Sequence, residues 1–177
     1  MEGWDAAQLL AHGDEFEHYR FVNCDFSGVR LLFADCLFER CTLSSALLTN
    51  TALQNVAFAE CKLLGVPFSA CRDMLFVVCF DYCHLGYASF AGRKRPGTRF
   101  ADCTFLEADF TNADLSQAVF QACCLHNATF HGTLLTGADF TSATEFTIDP
   151  EANELWVAWF ALEGLPGLLS TYDLLVE

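Results

Sequence analysis

Cysteine and histidine are the residue types in this chain best suited to chemistry, because they ligate metals, form disulfides and act as nucleophiles or bases. The sequence holds ten cysteines and five histidines. Cys36 and Cys41 stand five residues apart and Cys79 and Cys83 stand four apart, so neither pair has the spacing of the motifs that bind zinc. We therefore predict no metal site and no bound cofactor.

Catalysis requires a nucleophile or base held beside a partner group, and the sequence contains no such arrangement at fixed spacing. The histidines are scattered, at His12, His18, His84, His126 and His131. The glycine-rich phosphate loops and the HExxH pattern of zinc proteases do not occur. The sequence predicts no catalytic residues and a protein that is not an enzyme.

Acidic residues dominate the charge of the chain. It carries 23 aspartates and glutamates against 9 lysines and arginines, a formal net charge of −14. Such a charge repels the phosphates of nucleic acids and attracts basic protein surfaces. We expect a protein partner and no direct binding to nucleic acid.

A period of five residues runs through the chain. Phenylalanine or leucine occupies every fifth position from Phe80 to Phe140, with one arginine at Arg95. The residues two positions before these centres are small. Eight cysteines occupy such positions: Cys24, Cys36, Cys41, Cys61, Cys71, Cys83, Cys103 and Cys123. A unit repeated in this way indicates a solenoid, in which each unit buries its apolar side chains by stacking on its neighbours. Free cysteine packs as a small apolar residue, so we expect core thiols.

The repeats resemble those of the pentapeptide-repeat family. The sequences ADFTN at residues 108–112, ADLSQ at 113–117 and ADFTS at 138–142 carry the resemblance. It implies an all-β fold, a right-handed, four-sided parallel β-helix with one pentad per side and twenty residues per coil, or about seven coils here. We expect an N-terminal cap over residues 1–15, the β-helix over 16–160, and a C-terminal helix and tail over 161–177.

The coil length implied by the resemblance predicts which residues stack. With insertions of two residues before Phe38 and before Phe80, one column holds Phe16, Phe38, Phe58, Phe80, Phe100, Phe120, Phe140 and Phe160. Cys41, Cys61, Cys83, Cys103 and Cys123 form a second column. Beside the phenylalanines, one acidic residue falls on each successive coil, and we predict that this acidic stripe binds the partner: Glu17, Glu39, Glu60, Asp81 and Asp102.

The fourth side of the predicted β-helix is irregular, with Leu31 or Phe33, Leu53, Leu75 or Asp73, and then Arg95. Two arginines of the basic segment fall on positions that should point inward. We expect this segment to bulge outward, either as a solvated loop or as a contact for an acidic partner. Its basic residues are Arg93, Lys94, Arg95 and Arg99.

The resemblance extends to the quinolone-resistance (Qnr) type of the family. Those proteins are acidic rods that mimic DNA, bind DNA gyrase or topoisomerase IV, and relieve inhibition by quinolones, and the resemblance implies the same role here. They dimerise through a C-terminal helix, and a similar apolar segment here could form a dimer or cover the end of a monomer. We favour a homodimer through Trp156, Trp159, Leu168, Leu169 and Tyr172.

A second function remains open, that of a rigid protein-interaction or structural module. Its partner would bind the irregular fourth side, through the basic segment or through Met74, Phe76 and Val77. The chain has no apolar run of 18 residues and its start lacks the pattern of a secretory signal, so we expect no membrane contact and a cytoplasmic protein.

Overall fold

The structure is a computed structural model that describes residues 1–13, 15–29, 32–72, 76–172 and 174. Parallel strands stack along the chain to form a β-solenoid. The strands are β1 (Glu15–Glu17), β2 (Arg20–Val22), β3 (Leu32–Ala34), β4 (Leu37–Glu39), β5 (Leu53–Ala59), β6 (Phe76–Asp81), β7 (Arg99–Ala101) and β8 (Val119–Gln121). The helices are α1 (Ala6–His12) and α2 (Pro166–Leu169), with 3₁₀ turns at Phe68–Ala70, Leu162–Gly164 and Ser170–Tyr172.

The regular pentads share one placement of their side chains, which residues 108–112 illustrate. In residues 108–112, Ala108 and Phe110 are fully buried, while Asp109 and Thr111 are partly exposed. Asn112 has φ 56°, a left-handed conformation that asparagine tolerates better than most residues. The Ala113 N–H then donates to the Phe110 carbonyl at 3.0 Å, which closes a tight turn. The chain therefore changes direction once per pentad and keeps the large side chain inside.

Coils are joined by backbone hydrogen bonds and by stacked rings. The Phe110 N–H donates to the Thr129 carbonyl at 2.9 Å, on the following coil. Ring centroids along one column lie 4.8 to 5.7 Å apart, and its members are Phe21, Phe38, Phe58, Phe80, Phe100, Phe120, Phe140 and Phe160. A second stack holds Phe68, Phe90, Phe110 and Phe130. Rings of the two stacks meet edge to face, the arrangement that aromatic pairs prefer.

The predicted phenylalanine column is wrong at its first member. Phe21, and not Phe16, pairs with Phe38, because β2 pairs with β4. Phe16 pairs instead with Phe33 on β3. The first coil is thus 17 residues long, whereas the sequence suggested 22. The same shift applies to Phe26, because the bridge between Asp25 and Thr42 places Phe26 beside Leu43.

The second predicted insertion is confirmed. Phe58 pairs with Phe80, and Lys62 bridges to His84, both 22 residues on. From there to Trp159 the bridges recur every twenty residues. The fourth column runs from Phe33 to Leu53 and then Phe76, while Leu31, Asp73, Met74 and Leu75, considered in the sequence, lie outside the described residues.

The basic segment does not bulge outward, contrary to the expectation from sequence. Lys94 bridges to Asp114, and the Arg95 N–H donates to the Asp114 carbonyl at 2.9 Å, so the backbone stays in register. Arg93 is 7% exposed, and its guanidinium donates from Nη1 to the Cys71 carbonyl at 2.9 Å and from Nη2 to the Ser69 carbonyl at 2.8 Å.

An aromatic ring completes this environment. The Arg93 guanidinium carbon lies 5.6 Å from the centroid of the Phe76 ring, and that of Arg95 lies 6.0 Å from it. Planar donors directed at carbonyl groups, together with a ring face, allow a buried arginine to remain charged. Arg93 therefore stabilises the longer coil, which contains Ser69 and Cys71, through hydrogen bonds inside the solenoid.

The N-terminal helix α1 has a well-defined first turn and packs against the core. The Asp5 carboxylate accepts the Gln8 N–H at 2.9 Å and the Gln8 side chain accepts the Asp5 N–H at 2.9 Å, a capping box that fixes where the helix begins. Leu9 is fully buried and Trp4 packs against the core. Leu10, the next residue of the helix, is 54% exposed and faces solvent.

At the other end, the segment from Leu162 to Tyr172 folds back against Phe146. Two glycines permit this contact, because a Cβ added at Gly167 would lie 2.3 Å from the Phe146 carbonyl and one added at Gly164 would lie 2.7 Å from its ring. The Ile148 N–H donates to the Gly167 carbonyl at 3.0 Å. Most of the predicted tail at 173–177 lies outside the described residues.

Phe100→Ala should lower the free energy of unfolding by about 3–5 kcal/mol, because the ring is stacked between Phe80 and Phe120 and its removal leaves a cavity. Urea denaturation measures this. Tyr87→Asn, at a position 56% exposed, is the control and should change stability by less than about 0.5 kcal/mol. Similar losses for both variants would show that the stacked column does not hold the coils together.

Arg93→Leu should lower the free energy of unfolding by about 2 kcal/mol or more, because the carbonyls of Ser69 and Cys71 would remain buried without these donors. Arg99→Leu is the matched control, since Arg99 is exposed and donates to the Gln121 side chain. The free energy of unfolding of the Arg99→Leu variant should fall by no more than about 0.5 kcal/mol in the same urea titration. Equal stability of the two variants would contradict the internal role of Arg93.

Candidate functional site

Four acidic residues follow the phenylalanine column on consecutive coils. Glu39 and Asp81 directly follow Phe38 and Phe80, and both occupy the same register position, with Ala59 between them. Glu60 and Asp102 stand one residue further on, at turn positions with φ of 54° and 51°. The carboxylates thus alternate between two neighbouring positions, one on each coil, and we call these four residues the acidic column.

Basic side chains accompany part of this column. The Arg20 guanidinium donates to the Glu39 carboxylate at 2.5 Å, and Arg40 lies 3.9 Å from Glu60. The Glu60 side chain is 59% exposed, so solvent screens its pair with Arg40, and such pairs contribute little to stability. Asp81 is exposed and Asp102 is partly exposed. Glu60, Asp81 and Asp102 are therefore the carboxylates best placed to meet a partner.

Glu17 does not join the acidic column. It pairs with Ala34 beside Phe16, and Val22 occupies the position next to Glu39 that the sequence assigned to it. Glu17 instead lies with His18 and Asp35, and possible ligand atoms of the three are within 4.8 Å of one another. The side chains of Glu17 and His18 are 70% and 72% exposed, so water solvates them, and we assign no metal to this group.

The basic segment offers less surface than the sequence suggested. Arg93 is buried, Arg95 is partly buried, and Arg99 lies on β7 beside Gln121. Phe76 is 2% exposed, which removes it from the residues proposed for a partner on the fourth side, and Met74 lies outside the described residues. Val77, 48% exposed, is the part of that group that solvent reaches.

All ten cysteines are free thiols, and eight of them are buried. In the predicted column, the thiols of Cys61, Cys83 and Cys123 donate to carbonyls of their own coil and of the previous one, as Cys83 Sγ does to Asp81 at 3.3 Å and Phe58 at 3.4 Å. Burial raises the pKa of Cys71 to about 12 and outweighs the opposing charge of Arg93. A protonated, buried thiol is a poor nucleophile, so Cys71 serves as a core residue.

The C-terminal residues assigned to a dimer differ in exposure. Trp156 and Trp159 are 76% and 66% exposed, and Leu162 next to them is 77% exposed. Leu168 packs against the core, and Leu169 is partly buried. The Tyr172 hydroxyl bonds to the Glu151 carboxylate at 3.2 Å. The exposed apolar surface at this end therefore includes the two tryptophans, Val157 and Leu162.

A further group of exposed residues lies near the middle of the solenoid, and the five-residue period does not reveal it. Tyr82 and Tyr87 are 59% and 56% exposed, and Leu64 and Leu106 are 43% and 38% exposed. The signal lies in the residue two places after each pentad centre, which is polar or glycine at most turns and tyrosine at these two. In the described part of the chain, no helix has the length and apolar character needed to cross a lipid bilayer.

Comparison with known proteins finds eight copies of the family described as "Pentapeptide repeats", over residues 83–121 and 123–144. QnrB4 of Escherichia coli, a pentapeptide repeat protein, is 26% identical over 72% of this chain. MfpA of Mycobacterium tuberculosis, another pentapeptide repeat protein, is 39% identical over 32% of it. The aligned parts span 63% and 30% of these relatives, less than two thirds of either.

The fold also resembles a solved structure, that of full-length QnrB1, a plasmid-mediated fluoroquinolone resistance protein. The TM-score is 0.67, and the match covers 98% of this chain and 97% of that one at 16% sequence identity. Identity this low establishes the likeness of the fold alone. Residues 83–121 and 123–144 therefore match pentapeptide repeats, and the chain resembles pentapeptide-repeat proteins of the Qnr type in sequence and in fold.

Proposed function

We propose that this protein is a non-enzymatic, cytoplasmic partner of DNA gyrase or topoisomerase IV that presents a DNA-like acidic surface to the enzyme. The acidic column carries this proposal, since it places a carboxylate on each of four consecutive coils of a rigid rod. The net charge of −14 favours a basic protein surface such as one that binds DNA. The likeness to QnrB4 and QnrB1 supports the choice of enzyme.

The charge density of the column limits how far the mimicry extends. Duplex DNA carries one charge per about 1.7 Å of its axis. Coils related by strand pairing are spaced by about 4.8 Å, so one carboxylate per coil supplies roughly a third of that density. Binding would therefore combine this charge with shape and with other contacts. A single charge reversal should have a small effect, and several together a large one.

We also infer that the solenoid is four-sided, with about seven coil steps along the phenylalanine column. Four bridge positions in succession, at His84, Ser89, Lys94 and Arg99, each step by twenty residues, which supports one pentad per side. In this arrangement α1 covers the first coil through Leu9, and the segment from Leu162 to Tyr172 covers the last. Covered ends keep a solenoid from pairing through its open edges.

A homodimer through the C-terminal end is the assembly we propose. The occupant of this surface is a second copy of the chain, because Trp156, Trp159 and Leu162 form an exposed apolar group at the end of a rod. Large aromatic side chains exposed to this degree are characteristic of interfaces and uncommon on monomers. Two rods joined end to end would double the length of the acidic surface.

Reversing charge at Glu60, Asp81 and Asp102 together, each to Lys, should abolish the effect of the protein on gyrase. The assay measures DNA supercoiling by purified gyrase, with and without ciprofloxacin. Wild-type protein should inhibit supercoiling or restore it in the presence of the drug, because the carboxylates occupy the surface that binds DNA.

The matched control reverses charge at Glu2, Glu15 and Glu154, which are exposed and lie outside the acidic column. This variant has the same net charge as the first and should retain the wild-type effect. Equal effects of the two variants would exclude the acidic column as the binding surface. No response of gyrase to the wild-type protein would exclude the proposed function.

Trp156→Ser with Trp159→Ser should convert a dimer to a monomer, because it removes the largest apolar side chains from the exposed end. Sedimentation velocity measures the mass of wild-type protein and variant at equal concentration. Val77→Ser, at an exposed valine far along the chain, should leave the dimer intact. A wild-type protein that sediments as a monomer would contradict the dimer.

A further inference from the structure

Two exposed tyrosines bracket one pentad in the middle of the solenoid. Tyr82 and Tyr87 stand at successive turns, with φ of 50° and 59°. Between them, Cys83 and Leu85 are buried and Gly86 has no side chain, while His84 is exposed. The two rings are held by turns of the solenoid backbone, so partner contact would cost little backbone ordering.

An apolar strip crosses this pentad along the axis of the solenoid. Hydrogen bonds place Gly65 beside Gly86 and Tyr87 beside Leu106, so Leu64, Gly86 and Leu106 occupy equivalent positions on three coils. A Cβ added at Gly86 would lie 3.4 Å from Leu64 Cδ2 and 3.6 Å from Leu106 Cβ. The two leucines thus approach each other over the glycine, on the side of the solenoid that lies between the turns of Tyr82 and Tyr87.

Carboxylates surround the patch. Glu60 and Asp102 occupy the turns immediately before and after Tyr82 along the axis, and Glu107 follows Tyr87 in the same way. A shallow groove at this edge is lined by Glu60, Lys62, Tyr82, His84 and Asp102. Lys62 lies within the groove and Arg40 is 3.9 Å from Glu60, so three carboxylates face two basic side chains around the patch. The surroundings of the apolar centre are therefore net acidic.

We propose that this tyrosine patch, formed by Leu64, Tyr82, Gly86, Tyr87 and Leu106, binds a protein segment that carries an apolar side chain flanked by lysine or arginine. Tyrosine is enriched among the residues that dominate protein interfaces, and a polar border that excludes water strengthens them. The three carboxylates select basic flanks and repel phosphates. The inference rests on the proposed function, because it assigns this segment to the same topoisomerase.

The patch also supplies apolar contacts, which the acidic column lacks. Glu60 and Asp102 belong to both surfaces, so a partner drawn to the column reaches the tyrosines without moving along the rod. Screened surface charges steer encounter but contribute modest affinity, whereas buried aromatic contacts slow dissociation. The patch would thus hold the partner that the column attracts.

The test replaces both tyrosines in the full-length protein with asparagine. Asparagine occupies the equivalent turns at Asn112 and Asn127, with φ of 56° and 54°, so the Tyr82→Asn, Tyr87→Asn variant should fold. Surface plasmon resonance measures its binding to purified DNA gyrase. We expect affinity to fall by about tenfold or more, mainly through faster dissociation. Leu47→Ser, the matched control at a residue that is 54% exposed and lies outside the patch, should bind within about twofold of wild type.

A second measurement does not depend on the stability of that variant. Full-length protein with p-benzoylphenylalanine at Tyr87 should cross-link to gyrase on illumination, and protein with the same group at Ala91, one pentad further on, should not. Wild-type affinity in the asparagine variant, or cross-linking from Ala91 alone, would overturn the patch and leave the proposed function standing. Failure of wild-type protein to bind gyrase would overturn both.

Discussion

Every surface of this protein depends on the register between coils. Backbone hydrogen bonds such as that from the Phe110 N–H to the Thr129 carbonyl, and stacked rings such as Phe110 on Phe130 at 5.0 Å, fix which residues lie side by side. In a solenoid each unit contacts only its neighbours, so an error of register in one coil shifts all positions on one side of it. The acidic column and the tyrosine patch exist only because the register holds from Phe38 onward.

The sequence predicted the solenoid and most of its core because each inward position is marked by residue type. Its failure at the first coil has a physical reason. Phe16, Phe21 and Phe26 are all apolar and five residues apart, so the period fits equally well whichever of them begins the column. Pairing of β2 with β4 decides between them, and that pairing is a property of the backbone. For this reason Glu17 lies outside the acidic column, whereas Glu39, Glu60, Asp81 and Asp102 belong to it.

Arg93 shows a different limit of reasoning from residue type. A charged residue at an inward position suggests a bulge, because an isolated charge is costly to bury. The cost depends on the partners, however, and the longer coil before Arg93 presents the carbonyls of Ser69 and Cys71 to its guanidinium. The two irregularities in the sequence, the insertion and the arginine, therefore compensate each other. Neither the insertion nor the arginine, taken alone, predicts how the other is accommodated in the solenoid.

The turn positions of this fold can vary in residue type and so determine much of its surface. Inward positions are constrained to small or large apolar side chains, but the residue with positive φ at each turn contributes to the surface and needs only to tolerate that conformation. Asparagine and glycine do so most easily, and both occur at many turns here. Tyr82 and Tyr87 adopt positive φ, which is unfavourable for tyrosine, and they also expose large rings to water. Neither backbone preference nor solubility therefore accounts for these two residues. Contact with another protein would bury both rings and offset the exposure, which is why we place the strongest contact at these turns.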